Sequence, residues 1–176
     1  GFWHMKRRGS SYYTFAMNYD DLTKNLGFLK SSDNGKNWTA FGSSLKTLRI
    51  AEFDVSADGQ TIYASPRDVQ EIKKSTDGGA NWTGIAVNGN GPTAISPSDS
   101  NLVLYASCCK VMRSTDGLQT EQEVLTLNKV HDIVFAPSDN TVVWLINEGY
   151  DLYKSTDSGA TFTKIKNLRS DVLNAN

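Results

Sequence analysis

An octapeptide of the form Ser-x-Asp-x-Gly-x-x-aromatic recurs along this chain of 176 residues. It reads Ser31-Ser32-Asp33-Asn34-Gly35-Lys36-Asn37-Trp38, and returns as Ser75-Thr76-Asp77-Gly78-Gly79-Ala80-Asn81-Trp82. A degraded copy over 114–121 keeps Ser114 and Asp116 but has Leu118 for the second glycine and Glu121 for the aromatic. The fourth copy, over 155–162, keeps Asp157 and Gly159 and ends on Phe162. The aspartates stand 44, 39 and 41 residues apart. That period is close to the length of one four-stranded propeller blade.

Elementary chemistry accounts for the pattern. Asp33, Asp77, Asp116 and Asp157 are placed to accept hydrogen bonds from backbone N–H groups in a tight turn. Gly35, Gly79 and Gly159 supply a positive-φ position that other residues resist. Trp38, Trp82 and Phe162 then fold back to pack against a neighbouring hairpin. A metal role for the aspartates is not expected, because one carboxylate per turn falls short of the ligand number calcium takes.

The motif resembles the Asp-box, or BNR repeat. That hairpin is shared by sialidases, xyloglucanases and related glycoside hydrolases, sortilin-type receptors and photosystem assembly factors. Four spaced copies make the resemblance specific for fold. It is nearly silent on activity, because these families share the hairpin and not a chemistry.

The residues around each box repeat as well. An apolar residue stands five positions before each Asp (Phe28, Ile72, Val111, Leu152), and a base three before it (Lys30, Lys74, Arg113, Lys154). This reads as a third strand, C, leading into the box, with a fourth, D, after it. Strand B is predicted over 12–16, 61–65, 102–107 and 141–146, all rich in β-branched and aromatic residues. Strand A is predicted over 49–55, 92–95 and 131–135, closed by Asp- and Pro-containing turns. The expected fold is an all-β propeller of about four blades, near 11–43, 44–88, 89–127 and 128–166.

Blade one shows no strand A upstream of its strand B. Residues 167–175 align with 128–136, so 167–176 are expected to form a closing strand that completes the first blade. Closure within one chain, closure between two chains as a homodimer by strand exchange or half-rings, and an open fragment are the alternatives. Residues 1–10 do not begin with Met and read as a cloning or cleavage remnant or a disordered end.

Composition narrows the function. Eighteen basic residues face 19 acidic ones, which gives no electrostatic case for nucleic acid or an anionic membrane. No apolar run approaches a membrane span, and the N-terminus lacks the apolar core of a signal peptide. A secreted or periplasmic site is what the resemblance implies. Cys108 and Cys109 are adjacent, a spacing that is neither a disulfide framework nor a metal set. They are either two reduced thiols or a strained vicinal disulfide. Asn37-Trp38-Thr39 and Asn81-Trp82-Thr83 match the glycosylation sequon but lie inside the box. No cofactor fingerprint is present.

In a propeller blade the C–D hairpin and the A–B turn share one end, and the B–C and D–A loops share the other. Ligand contacts are expected on the end away from the boxes. Candidates there are Tyr19, Asp20, Arg67, Asp68, Asn90, His131, Glu148, Tyr150 and Arg169, for a glycan or a protein ligand. Glu52, Asp132 and Asp171 fall at equivalent strand-A positions. They are either acid/base candidates near the channel mouth or carboxylates paired with Lys and Arg. The sialidase resemblance implies an arginine triad and an Arg-Ile-Pro tripeptide, but here Arg49-Ile50 is followed by Ala51. A non-catalytic binding module or interaction scaffold is therefore expected first, and a relative or fragment of a secreted glycoside hydrolase of sialidase or xyloglucanase type second.

Overall fold

The computed structural model describes the backbone of residues 2–18, 20–87 and 89–173, with the side chains of these residues apart from 2, 3 and 171–173. The chain is all-β and is built of four four-stranded antiparallel propeller blades. Blade one holds β1 (Phe2–Arg8), β2 (Ser11–Ala16), β3 (Gly27–Ser31) and β4 (Thr39–Phe41). Blade two holds β5 (Ile50–Val55), β6 (Ile62–Pro66), β7 (Ile72–Ser75) and β8 (Thr83–Ile85). Blade three holds β9 (Thr93–Ile95), β10 (Val103–Ser107), β11 (Lys110–Ser114) and β12 (Gln122–Thr126). Blade four holds β13 (Val130–Ala136), β14 (Asp139–Asn147), β15 (Asp151–Ser155) and β16 (Thr163–Asn167). A short helix, α1 (Leu168–Leu173), follows. The blades fall into two compact units, Gly1–Asn90 and Gly91–Asn176.

Each unit has its own core. In the first, Phe15, Phe28, Phe53 and Ile62 are fully enclosed and Trp82 packs against them. Phe28 is its hub, edge-on to Phe15 and Phe53 and stacked on Phe41 and Trp82. In the second, Leu104, Val111, Ile133, Val143 and Leu145 form an aliphatic core, with Phe162 against it. In the first unit the second blade thus seats its aromatic Trp82 on Phe28 of the first, and in the second unit Phe162 packs against a core drawn from both blades. Trp38 behaves differently: it belongs to the first blade of its unit and is 36% exposed.

The box turns adopt one hydrogen-bond pattern. Ser75 Oγ donates to Asp77 Oδ1 (2.8 Å) and accepts from Gly79 N (2.8 Å), while Asp77 Oδ1 accepts from Asn81 N (2.9 Å). The indole N–H of Trp82 closes back on Gly79 O at 2.9 Å. The degraded copy keeps the turn: Ser114 Oγ donates to Asp116 Oδ1, Leu118 N donates to Ser114 Oγ, and Thr120 N donates to Asp116 Oδ1. Leu118 does so at φ +70 and is buried, so its side chain offsets the backbone strain. Glu121, in the aromatic's place, accepts the hydroxyl proton of buried Tyr105. These bonds hold all four box carboxyls at about 2, below their ordinary 3.8. For Asp33 and Asp77 the backbone N–H of Asn37 or Asn81 contributes most, and for Asp116 and Asp157 the hydroxyl of Thr120 or Thr161.

Two expectations about the chain ends are overturned. Blade one has its own strand A, β1, paired with β2 along its length. Phe2–Arg8 are therefore ordered as a strand, where a disordered end was one of the expectations. Among the described residues the closing strand expected over 167–176 is not formed: Asn167 ends β16, and its side-chain oxygen accepts from Arg169 N (3.1 Å) and Ser170 N (3.3 Å), starting α1. An amide cap on the next turn prevails over the alignment with 128–136. Residues 174–176 lie outside the described residues.

The place of β1 has an electrostatic reason. His4, Lys6 and Arg8 recur at every second position, and β5 offers Glu52 and Asp54 to match. His4 Nδ1 lies 2.9 Å from Glu52 Oε2 and Lys6 Nζ 3.5 Å from Glu52 Oε1. Arg8 pairs with Asp54 and also donates to Val55 O at 2.5 Å. Glu52 and Asp54 are both buried and each accepts from the next backbone N–H; the bases of β1 add the charged partners that a buried carboxylate needs.

Candidate functional site

Within each blade the antiparallel order puts the box at one end, beside the A–B turn. Gly78 N donates to Gln60 O, Gly117 N to Asn101 O and Ser158 N to Thr141 O, at 2.8–2.9 Å, fastening box to turn in blades two, three and four. The B–C and D–A connections meet at the other end. There Arg67 N donates to Arg49 O, Glu148 N to Lys129 O, Leu127 N to Cys109 O and Leu168 N to Tyr150 O, at 2.8–3.0 Å.

In the first unit two loop clusters form at this end. Asp68 accepts from Arg49 twice, from the backbone N (2.8 Å) and from the guanidinium (3.0 Å). Arg67 is exposed beside it. The second cluster is tied by Asn25, which accepts from Asn18 N (2.6 Å) and donates to Lys46 O (2.7 Å), joining loop 17–26 to loop 42–49. Asp20 is exposed and turns on Asn18 Oδ1. Tyr19 lies outside the described residues, and Asn90 is exposed.

The second unit gathers the most at its loop end. Tyr150 is 50% exposed and holds φ +62. An aromatic residue in that backbone region is strained, and the loop fixes it from three sides. Buried Asn147 accepts from Asp151 N (2.9 Å) and its carbonyl accepts from Tyr150 N (3.0 Å). Asn167 Nδ2 donates to Gly149 O (2.7 Å) and Asp151 Oδ1 (2.6 Å). Lys164 adds an ion pair to Asp151 at 2.7 Å, and it, ahead of Asn167, holds that carboxyl below its usual range. Glu148 and Arg169 stand exposed on either side of this loop in sequence. His131 and Asp132 are exposed at a bulge of β13, where Asp132 accepts from Ile133 N at 2.9 Å.

The three carboxylates read as acid/base candidates have different settings. Glu52 is buried and bound to His4 and Lys6; burial pushes its carboxyl up, but the His4 hydrogen bond and the charge of Lys6 outweigh that and lower it. Asp132 is exposed. Asp171 lies on α1 and its side chain is outside the described residues. Sequence reasoning missed Asn25, Asn147 and Asn167, which organise the loops. It also missed the partners of the repeated bases: Lys30 lies over Tyr13, Lys74 over Tyr63 and Lys154 over Trp144, each 5.2–5.3 Å from the ring centre.

Among the described residues no three His, Cys, Asp or Glu gather as a metal site, and no helix is long and apolar enough to cross a membrane.

No family model matches the chain, and no curated protein matches it in sequence. Solved structures do. The GH74 enzyme of Niastella koreensis superposes with a TM-score of 0.68 over 92% of this chain, at 18% identity. YCF48 from Cyanidioschyzon merolae gives 0.61 over 93%, at 14% identity. YCF48 bound to D1 peptide gives 0.51 over 66%, at 16% identity. The chain spans 29% of the GH74 chain and 56% of the C. merolae YCF48 chain. At such identities the likeness is one of fold, and it assigns the blades to the β-propeller class.

Proposed function

We propose that the chain is a non-catalytic binding module that presents the loop end of its blades to a segment of another protein. The octapeptide turns are Asp-boxes in this reading: they brace the opposite end and leave the loops free to vary. The observation that carries the proposal is Tyr150. A half-exposed ring carried on a strained loop backbone that Asn147 and Asn167 hold, with charged residues on either side in sequence, is a preorganised contact. One structural neighbour, YCF48, is bound to D1 peptide, which favours protein over other ligands. Burial of Glu52 in ion pairs argues against hydrolysis, since an acid/base carboxyl must reach its substrate.

A glycan is the second reading. An exposed tyrosine beside amides and carboxylates is also a sugar platform, and the GH74 neighbour is an enzyme of a glycoside hydrolase family. Binding of the full chain to a peptide library and to an oligosaccharide panel, each repeated with Tyr150→Ala, separates the two. Peptide binding lost in Tyr150→Ala supports the first reading, and oligosaccharide binding lost in it supports the second. Release of reducing ends from xyloglucan would overturn both in favour of an enzyme. A Tyr150→Ala chain that binds as wild type would remove this loop from the site.

A further inference from the structure

The β10–β11 hairpin turns on two residues, since Ser107 and Lys110 are paired in register and only Cys108 and Cys109 lie between them. The two-residue turn that sets its first position at positive φ is normally given glycine there. This one has Cys108, at φ +30, where a Cβ is strained. Both side chains are exposed, and their sulfur atoms lie 3.1 Å apart. Two independent features therefore coincide: a backbone choice that costs stability, and two accessible thiols held at one another.

We propose that Cys108 and Cys109 form a reversible dithiol–disulfide site at the loop end of blade three. Its co-reactant is a small-molecule disulfide. One thiolate attacks a sulfur of that disulfide, forming a mixed disulfide and releasing one thiolate. The neighbouring thiolate then attacks the protein-bound sulfur, closing the Cys108–Cys109 bond and releasing the second thiolate. The protein loses two electrons and two protons, and the small disulfide becomes two thiols. The ring closes across a single peptide bond. Since Cys109 O holds Leu127 N at 3.0 Å, the turn affected also anchors the connection from β12 to β13. The hydrogen bond between the thiols raises the Cys109 thiol, so exchange quickens at alkaline pH.

The test is intact-mass spectrometry of the full chain equilibrated in glutathione buffers of rising oxidised-to-reduced ratio, then quenched with acid. The expected product is a monomer lighter by two hydrogen atoms, restored by excess reduced glutathione. Cys108→Ser and Cys109→Ser should each give a glutathione adduct instead. Both positions are exposed, and unchanged far-UV circular dichroism confirms that the variants fold. In the wild type, a stable glutathione adduct, a disulfide-linked dimer, or no change in fully oxidised buffer overturns the proposal. So does loss of two hydrogens in either variant.

Discussion

Trp82 lies flat against Phe28, ring centroids 5.4 Å apart and planes 14° from parallel. A residue of the second blade's turn is thereby fixed to the third strand of the first blade, 54 positions earlier in the chain. Gly79 makes this possible: it sits at φ +92 with the Phe41 ring where a β-carbon would be.

The stacked pair predicts unequal costs for the two tryptophans. Trp82→Ala should lower unfolding free energy by about 2–4 kcal/mol, as expected for truncating a largely packed aromatic. Trp38→Ala, on a more exposed ring, should cost less than about 1 kcal/mol. Urea titrations measure both. A double-mutant cycle with Phe28→Ala should return a coupling of about 0.5–1.5 kcal/mol for Phe28 and Trp82. Equal losses at the two tryptophans contradict the assignment.

The box glycines should divide in the same way. A Cβ on Gly35 meets nothing within 4 Å, whereas on Gly79 it falls 2.4 Å from Phe41 Cδ2. Gly35→Ala carries only the positive-φ strain, about 1–2 kcal/mol. Gly79→Ala adds displacement of a ring already stacked in the core, for a total of about 3 kcal/mol or more. Similar melting curves for the two variants would mean that the ring moves freely.

The box carboxylates make stability fall in acid. Their folded value is about 2 against an ordinary 3.8. A depressed carboxyl stabilises the fold above its unfolded value and loses that contribution as pH drops through its folded one. The window is therefore pH 4 down to pH 2. Asp77→Asn should melt below wild type at pH 6. The gap should close as both are taken to pH 2. A gap that stays constant across the window would show that the charge of Asp77 plays no part.

The two chain ends should respond in opposite ways to deletion. Removing residues 1–8 takes away β1 and leaves Glu52 and Asp54 buried without His4, Lys6 and Arg8, so the first unit should lose most of its cooperative unfolding. Removing 168–176 takes away only α1 and the residues after it, and should change the melting point by no more than a degree or two. Glu52→Gln, which keeps the shape and removes the charge, should cost about 1–3 kcal/mol. Hydrogen exchange of β5 amides reports each change. A stable chain without residues 1–8 would refute the ion-pair account.

Much of the fold was legible because the box is a local device: its serine, aspartate and glycine are bonded within one turn, so their spacing in sequence is their geometry. The strands B and C were legible for a similar reason, since alternation along a strand needs no knowledge of its partner. The role of β1 was hidden because it rests on Glu52 and Asp54, more than 40 positions away. A basic run such as Lys6-Arg7-Arg8 looks like any solvated end until its acids are located. The helix at 168–173 was misread because Asn167, which ends β16 and caps α1, occupies the place of Asn128, which precedes a strand. At the candidate site, Tyr150 and Glu148 could be named as loop residues. Asn147 and Asn167 fall in the same loops, but their holding role was not legible, because an amide buried between backbone groups has the same sequence signature as a solvated one.

In each box the key bonds join residues no more than four positions apart. Closing such short loops costs little chain entropy, so the hairpins need not wait for the blades. Local hairpin closure runs on a scale of microseconds, roughly 1–10 μs, while seating Trp82 on Phe28 requires segments from different blades to meet. The chain is thus supplied with four separate starting points for folding. Weakening a box should slow the approach to the native state, whereas weakening the aromatic seam should chiefly hasten departure from it.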